Sequence, residues 1–327
     1  MGRAAVITGI GSALPDRVVT NDMLAARMDT SDEWIRTRTG IRERRVVDPG
    51  TATSDLAVAA GERALKSAGV DGVDAVVLAT TTPDHPCPAT APAVAARLGL
   101  GTVAAYDVAA VCSGFLYGLA SASGLIATGL AERVLMIGAE AFTTIIDQGD
   151  RNTAPIFGDG AGAVVLTAGE QSQRGALLGF DLGSDGALAD LIIVPSGGSR
   201  DKDGTRRHMD MRGKAVFVQA VQRMTESSRT VLARTGWSAD TVDWLVGHQA
   251  NARILHAVAE HLGLAQEKAF VNVGKYGNTA GASIPIALAD AAGAGLITPG
   301  DRVLLTAFGG GATWGAVTLE WPDITPG

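Results

Sequence analysis

Val73-Asp74-Ala75-Val76-Val77-Leu78 and Val242-Asp243-Trp244-Leu245-Val246 are one short apolar pattern written twice. Each opens Val-Asp and continues mainly in aliphatic residues, as a strand buried on both faces does. A second pair stands at the same separation: Arg133-Val134-Leu135-Met136-Ile137 and Arg302-Val303-Leu304-Leu305-Thr306. A glycine and an acid introduce each member, Gly129 and Glu132, then Gly300 and Asp301. In a third pair, Phe157-Gly158-Asp159-Gly160 leads into Ala163-Val164-Val165-Leu166, and Phe308-Gly309-Gly310-Gly311 leads into Gly315-Ala316-Val317-Thr318-Leu319. Two matches at one spacing predict a duplicated domain. The third pair lies closer together, so the first half is expected to carry extra residues from Ala139 to Pro155. The halves are expected at 1–170 and 171–327, divided within the polar stretch Gly169-Glu170-Gln171-Ser172-Gln173-Arg174. Strand-like runs alternate with helical ones, which predicts a mostly parallel α/β sheet in each half. The charged loop Ser199 to Arg207 is expected to be exposed and mobile.

Composition narrows the function. Of 327 residues, 46% are hydrophobic and 19% charged, the balance of a packed globular chain. The formal net charge of −7 argues against a general nucleic-acid role, which needs a basic surface. The chain enters at once an apolar run, Ala4 to Ile10, without a preceding basic region, so no signal peptide is expected. Val108 to Ala131 is uncharged and long enough to span a bilayer, but Gly114, Gly118 and Gly124 interrupt it. A helix buried on all sides is the expectation, with no membrane partner. The two cysteines, Cys87 and Cys112, suggest a reduced, cytoplasmic protein with a functional thiol.

In parallel α/β sheets, chemistry gathers beyond the carboxyl ends of the strands. Ala104 to Val111 reads as a strand with Cys112 immediately after it. Val242 to Val246 ends before Gly247-His248, and Ala269 to Val273 precedes the loop bearing Asn278. Arg302 to Ala307 precedes Gly309-Gly310-Gly311. A thiol, an imidazole, a carboxamide and a glycine turn should therefore share one side of the molecule. Ala110-Val111-Cys112-Ser113-Gly114 turns sharply from strand to helix, and a helix N-terminus favours thiolate at Cys112. Glycines let backbone N–H groups approach an oxyanion closely. Taken singly, Cys112 is also an ordinary core cysteine, His248 a core histidine and Asn278 a turn residue. Their order and placement give the pattern its weight.

Over nearly its whole length the chain resembles the β-ketoacyl-acyl-carrier-protein synthase III family. The resemblance lies in Ser31-Asp32-Glu33-Trp34-Ile35, Thr37-Arg38-Thr39-Gly40-Ile41-Arg42-Glu43-Arg44, the Cys112 elbow and Phe157-Gly158-Asp159-Gly160-Ala161-Gly162-Ala163. It continues in His248-Gln249-Ala250-Asn251, Gly277-Asn278-Thr279 and Phe308-Gly309-Gly310-Gly311-Ala312-Thr313-Trp314-Gly315. It implies a thiolase fold, with duplicated domains in a layered αβαβα arrangement, and a homodimer. It implies that Cys112 accepts the acyl group and that His248 and Asn278 hold the malonyl thioester and its enolate. By the same resemblance, Cys112 and Gly310 N–H groups form the oxyanion hole. Trp34 and Arg151 would sandwich the adenine of coenzyme A, Arg38 would lie near its phosphates, and Phe217 and Asn251 would line the pantetheine tunnel. Coenzyme A thioesters are implied as substrates, with no separate cofactor. The partners implied are acyl-CoA and malonyl-acyl carrier protein.

Several positions depart from the family pattern. Arg253 matches a position that docks the acidic carrier protein, but Val218, Glu260 and His261 stand where lysines are common. A thinned basic patch steers an acidic partner less strongly. It leaves open a second reading, acyl transfer to an oxygen, nitrogen or other small acceptor in specialised metabolism. Cys87 falls where an aromatic residue would close the acyl pocket across the dimer, so longer or branched acyl groups are expected to fit. Asp84-His85-Pro86-Cys87 lacks the spacing of a metal site, and no metal is expected. Retention of Cys112 argues against a non-catalytic scaffold subunit. The absence of a second cysteine in the C-terminal half argues against a degradative thiolase.

Overall fold

The computed structural model describes residues 3–327. The first half runs through β1 (Ala4–Ala13), the short paired strands β2 (Val18–Thr20) and β3 (Glu43–Arg45), and, between those two, α1 (Asn21–Ala25) and α2 (Asp32–Thr39). It continues through α3 (Thr53–Ala68), β4 (Ala75–Ala79), α4 (Ala91–Arg97), β5 (Ala104–Val108), α5 (Gly114–Ala127), β6 (Arg133–Glu140) and β7 (Gly160–Gly169). Then follow β8 (Leu177–Ser184), the two-residue pair β9 (Ile192–Ile193) and β10 (Asp210–Met211), α6 (Gly213–Thr235) and β11 (Trp244–Gly247). The chain closes with α7 (Ala252–Leu262), α8 (Val273–Tyr276), α9 (Ser283–Gly293), β12 (Arg302–Gly309) and β13 (Thr313–Glu320).

One sheet has the order β1-β7-β6-β4-β5, the other β8-β13-β12-β11. The sense of pairing matches position by position. β1–β7 and β7–β6 are antiparallel and β6–β4 parallel, as β8–β13 and β13–β12 are antiparallel and β12–β11 parallel. The sheets are therefore mixed, not mostly parallel. The reason is local: Gly310 to Ala312 joins β12 directly to β13, and a connection that short can only make an antiparallel pair. Ala269 to Val273, read from sequence as a strand, makes a single bridge, Ala269 to Leu245, before the chain turns into α8 at Val273.

Five layers result. Helices α5 and α9 lie in the middle, and each packs against strands of both sheets. Their apolar side chains, among them Phe115, Leu116, Leu119 and Leu288, belong to one continuous core with both inner sheet faces. Each side chain of this size removed from water contributes roughly 1.5–3 kcal/mol. Helices α3 and α4 cover the outer face of the first sheet, and α6 and α7 the outer face of the second. Helix α5 has 14 residues, a length of about 21 Å, too short to cross a bilayer core. No helix among the described residues is long and apolar enough to cross a membrane. Helix α5 has two exposed residues, Gly124 and Ala127, both near its C-terminal end.

Close layer packing explains the glycines of β7. A Cβ on Gly162 would meet Pro285 Cβ at 2.7 Å and Ile286 N at 2.8 Å, so α9 can lie on this strand only where the side chain is absent. Ser199 to Arg207 is exposed throughout except for half-buried Gly204.

Candidate active site

Strand β5 ends at Val108, three residues short of the sequence reading, and a 3-10 turn over Val111–Ser113 carries the chain into α5. Cys112 sits in that turn. The preceding Val111 has φ 47°, a left-handed conformation that a β-branched residue adopts only under constraint. The constraint is visible. Ser113 Oγ donates to Thr313 O at 3.0 Å, and Thr313 Oγ1 donates to Ala110 O at 3.1 Å. The glycine turn presses on the same backbone: a Cβ on Gly309 would lie 2.8 Å from Cys112 N and 3.0 Å from Ser113 N. Gly310 is buried one residue further along, where a Cβ would lie 3.4 Å from Val111 Cγ2 and 3.2 Å from Ile192 O.

His248 follows β11, with its backbone N–H donating to Thr306 O at 2.9 Å. Its ring Nδ1 lies 2.7 Å from Ser283 Oγ, in the first turn of α9. Gln249 N donates to the same Oγ at 3.3 Å, so the hydroxyl hydrogen is free to be given to Nδ1. With the hydroxyl donating to Nδ1, the ring proton sits on Nε2. Burial, with no compensating charge, lowers the His248 pKa to about 3, so the imidazole is neutral at physiological pH.

Asn278 is held by its backbone against Ile156 to Gly158. Asn278 N donates to Ile156 O, and Gly158 N donates to Asn278 O, both at 2.9 Å. Asn278 Oδ1 accepts from Ala280 N at 2.8 Å, which leaves the Nδ2 hydrogens as the available donors. The Phe157-Gly158-Asp159-Gly160 segment thus positions Asn278. Asp159 anchors it in turn, accepting from Val47 N, Thr143 N and Thr143 Oγ1 at 2.7–2.8 Å.

Cys112, His248 and Asn278 line one cavity of about 490 Å³. Its inner walls are apolar, with Phe142, Phe157, Ile192, Met209 and Met211 around the thiol. Phe142 and Phe157 stack with ring centroids 4.7 Å apart. Trp34, Arg38, Arg151, Phe217, Asn251 and Arg253 also line it, toward the surface. Arg38 lies 4.5 Å and Arg151 5.2 Å from the Trp34 ring centroid. Trp34 and Arg151 are thus closed on each other, leaving no gap for a flat ring between them. Arg151 also pairs with Asp29 at 2.8 Å. Asn251 is committed as the N-cap of α7: its Oδ1 accepts from Arg253 N and its Nδ2 donates to Arg38 O, each at 2.9 Å. Arg253 is exposed, 5.5 Å from the Phe217 ring centroid. Cys87 is exposed and does not line the cavity of its own chain. Among the described residues no group of three or more His, Cys, Asp or Glu converges as a metal site.

One expectation meets an opposing effect. The sequence suggested thiolate at Cys112. Burial pushes this thiol far above its ordinary pKa, and the nearby Glu140 carboxyl pushes it further. The helix dipole acts at about half a charge, whereas full burial can move a titration by several units. Burial therefore opposes the thiolate that the helix N-terminus favours. Sequence reading also missed Ser283 and Glu140. Ser283 lies four residues beyond the Gly277-Asn278-Thr279 motif, but nothing there signals an imidazole. Glu140 is an acid at the end of an apolar strand, an anomaly that burial alone turns into a signal.

A thiol from the first half and two neutral donors from the second, across a five-layered duplicated frame, fit a thiolase-fold acyltransferase. The comparisons narrow this class. Residues 106–186 match the family model 3-Oxoacyl-[acyl-carrier-protein (ACP)] synthase III, and residues 232–321 the model of its C-terminal part. Beta-ketoacyl-[acyl-carrier-protein] synthase III 5 of Streptomyces coelicolor is 61% identical over 99% of this chain and 99% of its own. A crystal structure of 3-oxoacyl-(acyl carrier protein) synthase III from Pseudomonas aeruginosa superposes with a TM-score of 0.95 at 52% identity, covering 99% of this chain and 100% of that one. The priming β-ketosynthase of the R1128 polyketide pathway reaches a TM-score of 0.93 at 32% identity, over 98% and 97% of the two chains. The chain belongs to the β-ketoacyl-acyl-carrier-protein synthase III family and is an acyltransferase of that type.

Proposed function

We propose that this enzyme takes an acyl group from acyl-CoA onto Cys112 and condenses it with malonyl-acyl carrier protein to a β-ketoacyl product. The observation that carries the residue roles is the cavity shared by Cys112, His248 and Asn278. In the first step the Cys112 sulfur attacks the thioester carbonyl and the proton of the thiol leaves with coenzyme A. The backbone N–H groups of Cys112 and Gly310 receive the oxyanion. In the second step malonyl thioester loses CO2, and the electron pair of the broken bond forms an enolate. His248 Nε2–H and Asn278 Nδ2–H donate to its oxygen; being neutral, they stabilise charge without quenching the carbon. The carbon attacks the acyl-Cys112 thioester, and the sulfur leaves and takes up one proton. Covalent loading divides one hard step into two and gives ping-pong kinetics.

Coenzyme A enters past Trp34, Arg38 and Arg151. Its adenine separates the Trp34–Arg151 pair, exchanging one cation–π contact for stacking on both faces. Phe217 and Asn251 flank the pantetheine arm, Asn251 through its surface, since its amide is the α7 cap. Arg253 meets the carrier protein. Residues 1–170 supply the thiol, residues 171–327 the two donors. The active form is a homodimer in the cytoplasm. Among the described residues strand β5 ends its sheet with one edge unpaired, which suits pairing with the same strand of a second copy. Cys87 reaches the partner's acyl pocket, where its small side chain leaves space.

Transfer to another acceptor rests only on the thinned basic patch. The test is incubation with acyl-CoA and malonyl thioester labelled in its free carboxyl. Labelled CO2 with a β-keto product supports condensation; an ester or amide without labelled CO2 overturns it.

A further inference from the structure

A second cleft, of about 300 Å³, is lined by residues of β2 and β3 and by parts of the segment from Thr143 to Phe157. Phe157 lines both this cleft and the active-site cavity. Cys112, His248 and Asn278 do not line it. Three arginines from separate segments converge on it: Arg17 before β2, Arg27 after α1 and Arg44 within β3. Backbone bonds hold two of them in place, Val46 N donating to Arg17 O and Arg27 N to Leu24 O, both at 3.0 Å. Among the described residues none of the three forms an ion pair. Asp48 is the one acid lining the cleft; it is exposed and pairs with no base.

Arg44 is the telling member, only 1% exposed. Its Nη groups donate to neutral acceptors alone: Val19 O at 2.9 Å, Asn21 Oδ1 at 2.7 Å and Pro155 O at 2.8 Å. Its Nε is buried without a hydrogen-bond partner. A buried cation met only by neutral oxygens keeps much of its desolvation cost. Burial lowers its pKa to about 10; Glu43 opposes the shift and the Arg27 charge adds to it. Arg44 is therefore still a cation at neutral pH, and positive charge predominates around the cleft.

We infer that this cleft binds a phosphate group, either free or carried on a small metabolite. Guanidinium groups match phosphate oxygens in pairs, and Arg17 and Arg27, both exposed, are free to turn toward one. A phosphate there supplies the counter-charge that Arg44 lacks. It would sit against the support of the catalytic groups and not among them. Val47 and Thr143 line the cleft, and their N–H groups hold Asp159, which anchors the segment that positions Asn278. The inference stands whether or not Cys112 is the acyl acceptor.

The test is equilibrium dialysis with radiolabelled inorganic phosphate, and separately with glycerol 3-phosphate, at an ionic strength fixed with chloride. Wild type should retain label that an equal concentration of chloride does not displace. The double variant R17A/R27A should bind at least about tenfold more weakly, because two charge-assisted contacts are lost. R151A should bind as wild type does, which separates this cleft from the arginines at the mouth of the active-site cavity. Tighter retention of glycerol 3-phosphate identifies a monoester as the ligand; tighter retention of inorganic phosphate identifies the free ion. Urea unfolding checks that the double variant is folded. Should it not be, D48N still decides: removing the one acid should tighten binding about threefold, the worth of an exposed charge. No retention by wild type, unchanged retention by a folded R17A/R27A, or weaker retention by D48N overturns the inference. Loss of binding in R151A overturns it too, by placing the phosphate at the active-site mouth.

Discussion

His248 Nδ1 and Ser283 Oγ lie 2.7 Å apart, although 34 residues of α7, α8 and connecting turns separate them along the chain. The hydroxyl accepts from Gln249 N, and when it donates to Nδ1 the ring hydrogen sits on Nε2. An imidazole in the opposite tautomer would present a lone pair to the enolate oxygen and repel it.

Ser283→Ala should therefore slow decarboxylation of malonyl thioester about 10- to 100-fold, the loss of roughly 1–3 kcal/mol when a buried partner is removed. Acyl loading of Cys112 should be nearly unchanged, because it does not use the imidazole proton. Mass spectrometry for loading and CO2 release for decarboxylation separate the two. Equal loss of both would show that Ser283 supports the whole site.

The neutral imidazole has a stability signature. A folded-state pKa of about 3 lies below the unfolded value of 6.5, so between these limits the unfolded chain binds the extra proton. Stability falls as pH drops from about 6.5, by up to roughly 1.4 kcal/mol per pH unit from this group. Glu140 acts oppositely between 4.5 and about 7, since its folded pKa is raised. The contribution of His248 is isolated by comparing urea unfolding of wild type and His248→Asn at pH 7 and pH 5. Wild type should lose more on acidification; parallel losses would mean that His248 titrates normally.

Arg151→Ala should raise KM for acyl-CoA about 3- to 10-fold with kcat little altered, as expected for removal of a cation–π partner of roughly 1 kcal/mol at an exposed mouth. Steady-state kinetics at saturating malonyl-acyl carrier protein would check this. A fall in kcat alone would place Arg151 outside coenzyme A binding.

Cys87→Phe should narrow the acyl pocket from across the dimer. Loading with branched or medium-chain acyl-CoA should fall at least tenfold while acetyl loading persists, since a ring occupies the space of several methylenes. Competition between acyl-CoA donors, read by intact mass, is the measurement. An unchanged donor preference would separate Cys87 from the pocket.

Much of this frame was legible in the chain itself. The repeated Val-Asp and Arg-Val runs located β4, β11, β6 and β12, because strands buried on both faces leave uninterrupted apolar signatures. Glycine-rich punctuation and strand-end position picked out Cys112, His248 and Asn278, which do line one cavity. Strand direction was harder. Pairing sense depends on connection geometry, and so β7 and β13 run antiparallel to their neighbours. Ala269 to Val273 has strand composition but finds only one bridging partner.

Sequence alone determined the duplicated pattern, the family and three residues that line one cavity, since periodicity and motif order are properties of the chain read along its length. Tertiary structure decided the burial of Cys112, the pairing of His248 with Ser283 and the neighbourhood of Glu140. Those depend on burial and on groups far apart in sequence, and no local pattern encodes how much water a side chain loses when the layers close.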